Sequence, residues 1–582
     1  MKASDYVVSY LIENGLDKVF GYIGGAIAHL YDSLDKSDKI ELVNTIHEQG
    51  AGFAAEGYAR ATGKTGIATA TSGPGATNLI TAIGSCYFDS VPVLFITGQV
   101  NTYEYKYEQP VRQIGFQETD IVSIVKPITK YTVLVDNLDK LRYELEKSIF
   151  ITQNGRKGPV VIDIPMNIQR GEIDPVKQIS FFDSEEYRHL TSSKPEADLS
   201  EVAELLNKSS RPVFLVGGGC RLADAGNDIR MLLEKHSIPV VYSLMGKDVV
   251  KDDYKYNLGL IGTYGNRYGN LALANSDLIV VLGSRLDTRQ TGTNRKIFAR
   301  AAKIVHVDID PSELNAKITA DISILSDVKS FVKDLLKIDL TIDIKEWLYV
   351  IDGYKAKYPS TMSINGNKKI PNMIIEKISA CCAKEDIICI DVGQHQMWSA
   401  QSFQTKGDQR VLFSGGMGAM GFALPAAIGA TIGSGKRSVV IIGDGGFQMN
   451  IQELEVLARR PLPIKIFILN NSNLGMVREF QQIYFEARYV GTQKDYSAPD
   501  FSKIAAAYGI KGFNVEGIEA IYAKIEKSLS DDSCEVINIL LPDKFTTVEP
   551  KLIVNKPIED MYPFLDRDEL KSDMLINLAE ED

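Results

Sequence analysis

Between Gly443 and Asn471 the chain reads GDGGFQMNIQELEVLARRPLPIKIFILNN, with an apolar run leading into each end. Residues 438–442 form a short β-branched run that stops at Gly443, and Ile451, Leu454 and Leu457 then recur at helical spacing. A buried strand therefore hands over to an amphipathic helix through the turn Gly443, Asp444, Gly445, Gly446. A second strand, over 464–469, brings Asn470 and Asn471 back to the same edge. This order belongs to a parallel sheet with helices on its faces.

The turn has a chemistry. Unpaired N–H groups and the helix dipole favour a phosphate, and Gly445 and Gly446 remove side chains that would block its approach. Asp444 offers one hard oxygen. Asn471, with Asn473 just beyond it, adds amide oxygen without further negative charge, a set that suits Mg²⁺ because that ion completes its octahedron with phosphate and water. The competing reading is an ordinary βαβ turn with an incidental Asp. The asparagines at this distance argue against it.

Four further segments carry a resemblance: residues 393–398 (GQHQMW), 414–427 (SGGMGAMGFALPAA), 47–60 (HEQGAGFAAEGYAR) and 71–75 (TSGPG). With the metal turn they resemble the thiamine diphosphate enzymes, and specifically the large catalytic subunit of acetolactate synthase, over about residues 1–550. The resemblance implies an α/β fold of three doubly wound parallel-sheet domains. Pyrimidine-binding and diphosphate-binding domains would flank a Rossmann-like, FAD-type central domain.

Composition fits a globular enzyme. A chain of 582 residues allows roughly three or four domains, and its 45% hydrophobic content can fill several cores. The net charge of −11 and the lack of a basic stripe argue against nucleic acid as a partner. No apolar run reaches the roughly eighteen residues needed to span a bilayer. The six cysteines lack metal-like spacing and read as reduced core thiols. The N-terminus opens into an amphipathic helix over 5–13, with Ser4 as cap and Gly15 as stop, and lacks the form of a signal peptide. A cytoplasmic protein is expected.

Three α/β units follow one another, at 1–175, 198–340 and 371–548, with polar stretches near 180–198 and 352–371 between them. Strands are expected at 41–45, 159–164, 213–216, 278–282 and 304–307. The tail, 549–582, has prolines and charges but little periodicity, so it should wrap over a surface or an active-site mouth. The first and third units could be distant duplicates.

The resemblance assigns roles residue by residue. Thiamine diphosphate activates itself through its own amino group, which becomes basic only when a carboxyl group shares a proton with the far ring nitrogen; a buried carboxyl keeps that proton more readily. Glu48 matches this position, and its plain alternative is a helix-start Glu complementing the dipole. Met420 matches the apolar wedge that bends the cofactor, with Gly416 and Gly418 allowing backbone contact. Gly393, Gln394 and His395 match a diphosphate-reaching segment, and Gly475 and Met476 follow the metal asparagines. In this family the Glu and the metal turn come from different subunits, so a homodimer or homotetramer with interface sites is implied. A small regulatory subunit is a further partner the resemblance allows.

On the substrate side Gly25 (with Ala26), Phe116 and Gln117 match positions that shape the donor and acceptor pockets. Arg112, Lys106 or Lys126 could meet a substrate anion, with surface solvation as the default. In the central unit Gly217, Gly218 and Gly219 follow a strand without a third fingerprint glycine, a weak signal alone. Leu244, Met245, Gly283, Arg285, Asp287, Arg289, Asp308 and Asp321 resemble flavin contacts, and FAD would be structural there.

Activity follows as pyruvate decarboxylation and transfer of the hydroxyethyl (acetyl) unit to a second 2-keto acid. Two departures point to an alternative. Phe480 stands where amino-acid-pathway relatives have a tryptophan, and the loop 100–112 (VNTYEYKYEQPVR) is longer and aromatic. These features favour acetyl transfer to a 4-keto-deoxy sugar nucleotide, although the alternating Tyr103, Tyr105 and Tyr107 would equally suit an edge strand. A pyruvate oxidase, a simple decarboxylase and a non-catalytic regulatory subunit are the remaining rivals. The first would be told by flavin bleaching, the second expects histidine pairs absent here, and the third predicts loss of Glu48, Asp444, Asn471 and Met420.

Overall fold

A computed structural model of the chain describes residues 1–191, 198–551 and 556–579. The first unit holds β1 (Lys18–Gly21), β2 (Glu41–Asn44), β3 (Gly66–Ala70), β4 (Val93–Gln99), β5 (Tyr131–Leu134) and β6 (Val160–Pro165). The second holds β7 (Pro212–Val216), β8 (Val240–Tyr242), β9 (Asn257–Leu260), β10 (Leu278–Leu282), β11 (Lys303–Asp308) and β12 (Ile322–Leu325). The third holds β13 (Ile387–Ile390), β14 (Arg410–Phe413), β15 (Ser438–Gly443), β16 (Ile464–Asn470), β17 (Lys511–Glu516) and β18 (Glu535–Leu540). Each set forms one six-stranded sheet with parallel ladders. Strands such as β10 (LIVVL) and β15 (SVVIIG) are buried along their whole length, which is why they read as continuous apolar runs instead of alternating ones.

Strand order separates the units. The first sheet runs β2-β1-β3-β4-β6-β5 and the third β14-β13-β15-β16-β18-β17, the same order shifted along the chain, as duplication would leave it. The middle sheet runs β12-β11-β10-β7-β8-β9, the doubly wound dinucleotide-binding order, with its switch point between β7 and β10.

Two helices join the outer units. Glu48–Thr62 and Ala423–Ser434 cross at backbone contact: a Cβ on Gly57 would lie 2.0 Å from the Ala426 carbonyl oxygen, and one on Gly429 1.8 Å from that of Ala54. Only glycine fits at this crossing. Asp89 adds a polar tie, accepting the N–H groups of Gly415 (2.9 Å) and Gly416 (2.7 Å).

Three expectations change. The first helix is Ala3–Glu13, and Ser4 lies buried inside it, accepting a hydrogen bond from Ser33 (2.9 Å), so Ser4 is not the cap. The helix Lys345–Lys357, past the expected end of the second unit, buries Trp347, Ile351 and Tyr354 in that unit's core. The tail does more than wrap: Ile558, Leu565, Leu570 and Met574 join the same core, the last two from in and beside the helix Arg567–Asp573. Of the stretch 180–198, residues 185–190 form a short helix and 192–197 lie outside the described residues. Among the described residues no helix is long and apolar enough to cross a membrane, and all six cysteines are free.

Candidate functional site

The third sheet delivers its polar residues at adjacent strand ends. In the β15–β16 ladder Gly443 faces Leu469, so the next residues, Asp444 and the Asn470–Asn471 pair, emerge side by side. Asp444 opens the helix Asp444–Met449, is 2% exposed, and accepts the Tyr496 hydroxyl at 2.7 Å. Burial raises its carboxyl to about 6, against the pull of Tyr496 and the backbone N–H groups of Asn471 and Gly445.

The amides are oriented by their nitrogens. Asn471 Nδ2 donates to Gln394 Oε1 (2.8 Å), and Asn473 Nδ2 donates to the carbonyls of Asn471 (2.8 Å) and Lys544 (2.5 Å). Asn473 Oδ1 is then left buried with no donor. Such an acceptor costs on the order of 1–3 kcal/mol unless something fills the gap. A cation would. Among the described residues no group of three or more His, Cys, Asp or Glu could hold a metal, so the donors here are one carboxylate and amide oxygens. That set fits Mg²⁺ far better than a thiolate- or imidazole-seeking ion.

Neighbouring segments frame the turn. Gly393 precedes the helix Gln394–Ser402, whose His395 ring lies beside Gly443. Burial holds His395 down at about 3, so it is neutral, and its Nε2 lacks a partner. Gln394 also donates to Glu479 (2.6 Å). Gly475 N–H bonds the Asn473 carbonyl (3.0 Å), whereas Met476 packs into the core. Gly418 takes φ +65° in the loop before Met420, and a Cβ on Gly445 would come within 3.3 Å of the Met420 methyl.

The first sheet gathers a matching half. Glu48 begins its helix beyond the end of β2, is 7% exposed, and accepts the Asn78 side-chain N–H at 2.9 Å. The turns after β1, β3 and β4 close around it: Ala26 N–H bonds Thr71 Oγ1 (3.1 Å), Gly75 abuts Glu48, and Gln117, at φ +64°, lies against Gly73. Gly25 has open space above it. Phe116 is 85% exposed, at the tip of a loop pinned by Glu118, which accepts the N–H groups of Lys106 (2.7 Å), Ile114 (2.6 Å) and Gly115 (3.3 Å). The tyrosines of this loop form no strand; Thr102–Glu104 is a single helical turn, and the rings of Tyr105 and Tyr107 meet edge to face at 5.0 Å. No hydrogen bond joins Glu48 to Asp444 within the chain.

Between the units lies a cleft of about 1270 Å³, counting its open mouth. It runs along the carboxyl ends of the middle sheet, where doubly wound folds hold dinucleotides. Gly218, Gly219, Leu244, Met245, Gly283, Arg285, Asp287, Arg289 and Asp308 line it, together with Arg156 and Lys157 from the first unit. Gly217 stands just behind, its N–H bonded to Leu282. Asp321 does not line the cleft; it pairs with Lys303 and the Ile304 N–H at the strand ends opposite. Guanidinium and ammonium groups for a diphosphate, carboxylates for ribose hydroxyls and apolar walls for rings coexist there.

Three family models match, one within each of the three units. Residues 1–124 match the thiamine pyrophosphate enzyme N-terminal TPP binding domain, 199–335 the central domain and 391–539 the C-terminal TPP binding domain. Acetolactate synthase large subunits are similar over nearly their full length. That of Lactococcus lactis is 36% identical over 92% of both chains, that of Corynebacterium glutamicum 37% over 98% of this chain and 92% of its own, and that of Porphyra purpurea 36% over 90% and 88%. The chain belongs to the thiamine pyrophosphate enzymes, in the acetolactate synthase large-subunit family. It is thus a thiamine diphosphate-dependent enzyme of the carbon–carbon ligating type.

Sequence reading missed several residues around the candidate site. Tyr496, Asn78 and Glu479 reach it from remote segments with no spacing rule to announce them. Arg156 had a signal of a kind, a basic pair between Gly155 and Gly158 just before a strand. It now bridges to Asp310 (3.0 Å) and Glu313 (2.8 Å), tying the first unit to the second beside the cleft.

Proposed function

We propose that this enzyme decarboxylates pyruvate and transfers the hydroxyethyl (acetyl) unit to a second 2-keto acid, with Mg²⁺ and a structural FAD beside thiamine diphosphate. The observation that carries this reading is the pair of half-sites at equivalent edges of two like-ordered sheets, one with the buried Glu48 carboxyl and the other with a carboxylate and an orphaned amide oxygen. When bound, the coenzyme supplies a stabilised carbanion equivalent. The protein's part is to hold and orient. Asp444, Asn471 and Asn473 would hold Mg²⁺ and the diphosphate, and neutral His395 leaves Nε2 available nearby. Glu48, steered by Asn78, would exchange a proton with the pyrimidine ring; Met420 would prop the bend, and Gly25, Phe116 and Gln117 would border the substrates. Exposed apolar side chains at both half-sites, Ile114 and Phe116 on one and Met417, Val477, Phe480 and Tyr484 on the other, support closure by a second copy of the chain, which would also keep water from the reacting carbon. Arg285, Arg289 and Lys157 would meet the FAD diphosphate. The free thiols support a reducing, cytoplasmic setting.

A second reading, acetyl transfer to a 4-keto-deoxy sugar nucleotide, is favoured by Phe480, half exposed on the helix Gly475–Tyr484, and by Tyr103 at 70% exposure on the pinned loop. Purified protein supplied with labelled pyruvate, with and without such a sugar, separates the two. We expect labelled acetolactate in both samples; a labelled branched sugar formed in preference would give the second reading, and label released only as acetaldehyde or acetate would end both.

A further inference from the structure

Away from both half-sites, a cleft of about 440 Å³, open mouth included, lies where the middle unit, the segment 357–369 and the tail meet. Arg267, Lys357, Tyr358, Ser360, Ser363 and Lys369 line it, with Glu549 and the tail prolines. Arg267 is 5% exposed. Its Nη2 donates to the Pro563 carbonyl (2.8 Å), but its Nη1 is buried with no partner. The Lys369 ammonium has no hydrogen bond or ion pair among the described residues; burial lowers it to about 8, with Arg267 adding to the fall and Glu549 and Glu376 opposing it. Lys357 is already held by Glu569 (3.1 Å) and Asp573 (2.9 Å).

Buried cations ordinarily sit against a carboxylate, because desolvation is otherwise uncompensated. Here a buried arginine and a half-buried lysine line one small cleft and keep donor capacity unspent; the carboxylate facing them, Glu549, favours both charges across the cleft but makes no ion pair with either. We propose that this cleft is a binding site for a small oxyanion, a phosphate or carboxylate group, held between Arg267 Nη1 and the Lys369 ammonium with Ser360 and Ser363 at its rim. Its place gives it a handle on the enzyme. The tail residues flanking Glu549 hold the metal side, since Val548 N–H (2.8 Å) and Lys551 Nζ (3.2 Å) bond Glu479, which bonds Gln394, which bonds Asn471.

The test is thermal unfolding of the full chain in Mg²⁺-free buffer, titrated with inorganic phosphate or with acetate against chloride at constant ionic strength. Phosphate should raise the melting temperature along a saturating curve, with half-saturation moved at least about fivefold higher in K369Q and kept in K369R. Phosphate bound at the metal turn or the large cleft would respond equally in wild type and K369Q, and that result would overturn the assignment. A saturating response to acetate but not phosphate makes the anion a carboxylate. No saturating response to either removes the site.

Discussion

Glu453 belongs to the third unit, yet its carboxylate serves the first. Oε1 accepts the His47 N–H (3.1 Å) and Oε2 the Ile46 N–H (3.2 Å), so it fixes the backbone immediately before Glu48. Burial raises Glu453 to about 7, with those two N–H groups pulling the other way. An unfolded glutamate titrates near about 4.3. The folded pKa therefore lies above the unfolded one, and between those values the folded chain keeps a proton that the unfolded chain has lost. The contribution is most favourable at acid pH and is lost as pH rises through about 7. Glu56 and Asp163, both raised by burial to about 7, act with the same sign, while His395, held near 3, acts oppositely below about 6.5. Comparison with E453Q isolates the one group: relative to wild type, the variant should gain unfolding free energy steadily from pH 5 to pH 7 in urea titrations. Parallel pH profiles for the two proteins would mean that Glu453 is ionised throughout.

At the scale of elements, the crossing of Glu48–Thr62 over Ala423–Ser434 decides whether the catalytic glutamate candidate sits still. A methyl at Gly57 would meet a carbonyl of the partner helix, not a side chain that can swing away. G57A should therefore force the helices apart and cost about 1–3 kcal/mol, read as a lower urea midpoint with unchanged m. A midpoint equal to wild type would show that the helices slide freely. Much of this level was legible beforehand. Strands buried on both faces announce themselves as apolar β-branched runs, and 278–282 was placed to the residue. The strand-to-helix turn at Asp444 and its meeting with the asparagines were legible because strand, glycines, Asp and asparagines are contiguous or separated by one helical stretch. What was not legible had no local pattern. Tyr496 meets Asp444 across a stretch without periodicity, Ser4 looked like a cap but has its partner in another helix, and the tail's Leu570 and Met574 find their core only once the middle sheet exists. The tyrosine segment stayed open between loop and edge strand because alternation alone does not distinguish an edge strand from a loop closed by the Glu118 carboxylate.

For the whole molecule, the decisive question is whether one active site needs two chains. Each chain carries both half-sites, but Glu48 bonds Asn78 and Asp444 bonds Tyr496, and nothing joins the two carboxylates directly. A twofold dimer would set each half against the other's complement, making two equivalent composite sites from one surface. E48Q alone should lower turnover more than tenfold, a barrier increase of about 1.4 kcal/mol or more, and D444N should do the same by removing the carboxylate proposed to hold Mg²⁺. Subunits of the two inactive variants, dissociated and reassembled together, then discriminate the arrangements. In a shared-site dimer, one of the two sites in every mixed pair receives Glu48 from one chain and Asp444 from the other. Random pairing puts half the molecules in mixed pairs, so about a quarter of wild-type activity should return. If each site were built within a single chain, every site in the mixture would still carry one defect, and activity would stay at the level of the separate variants.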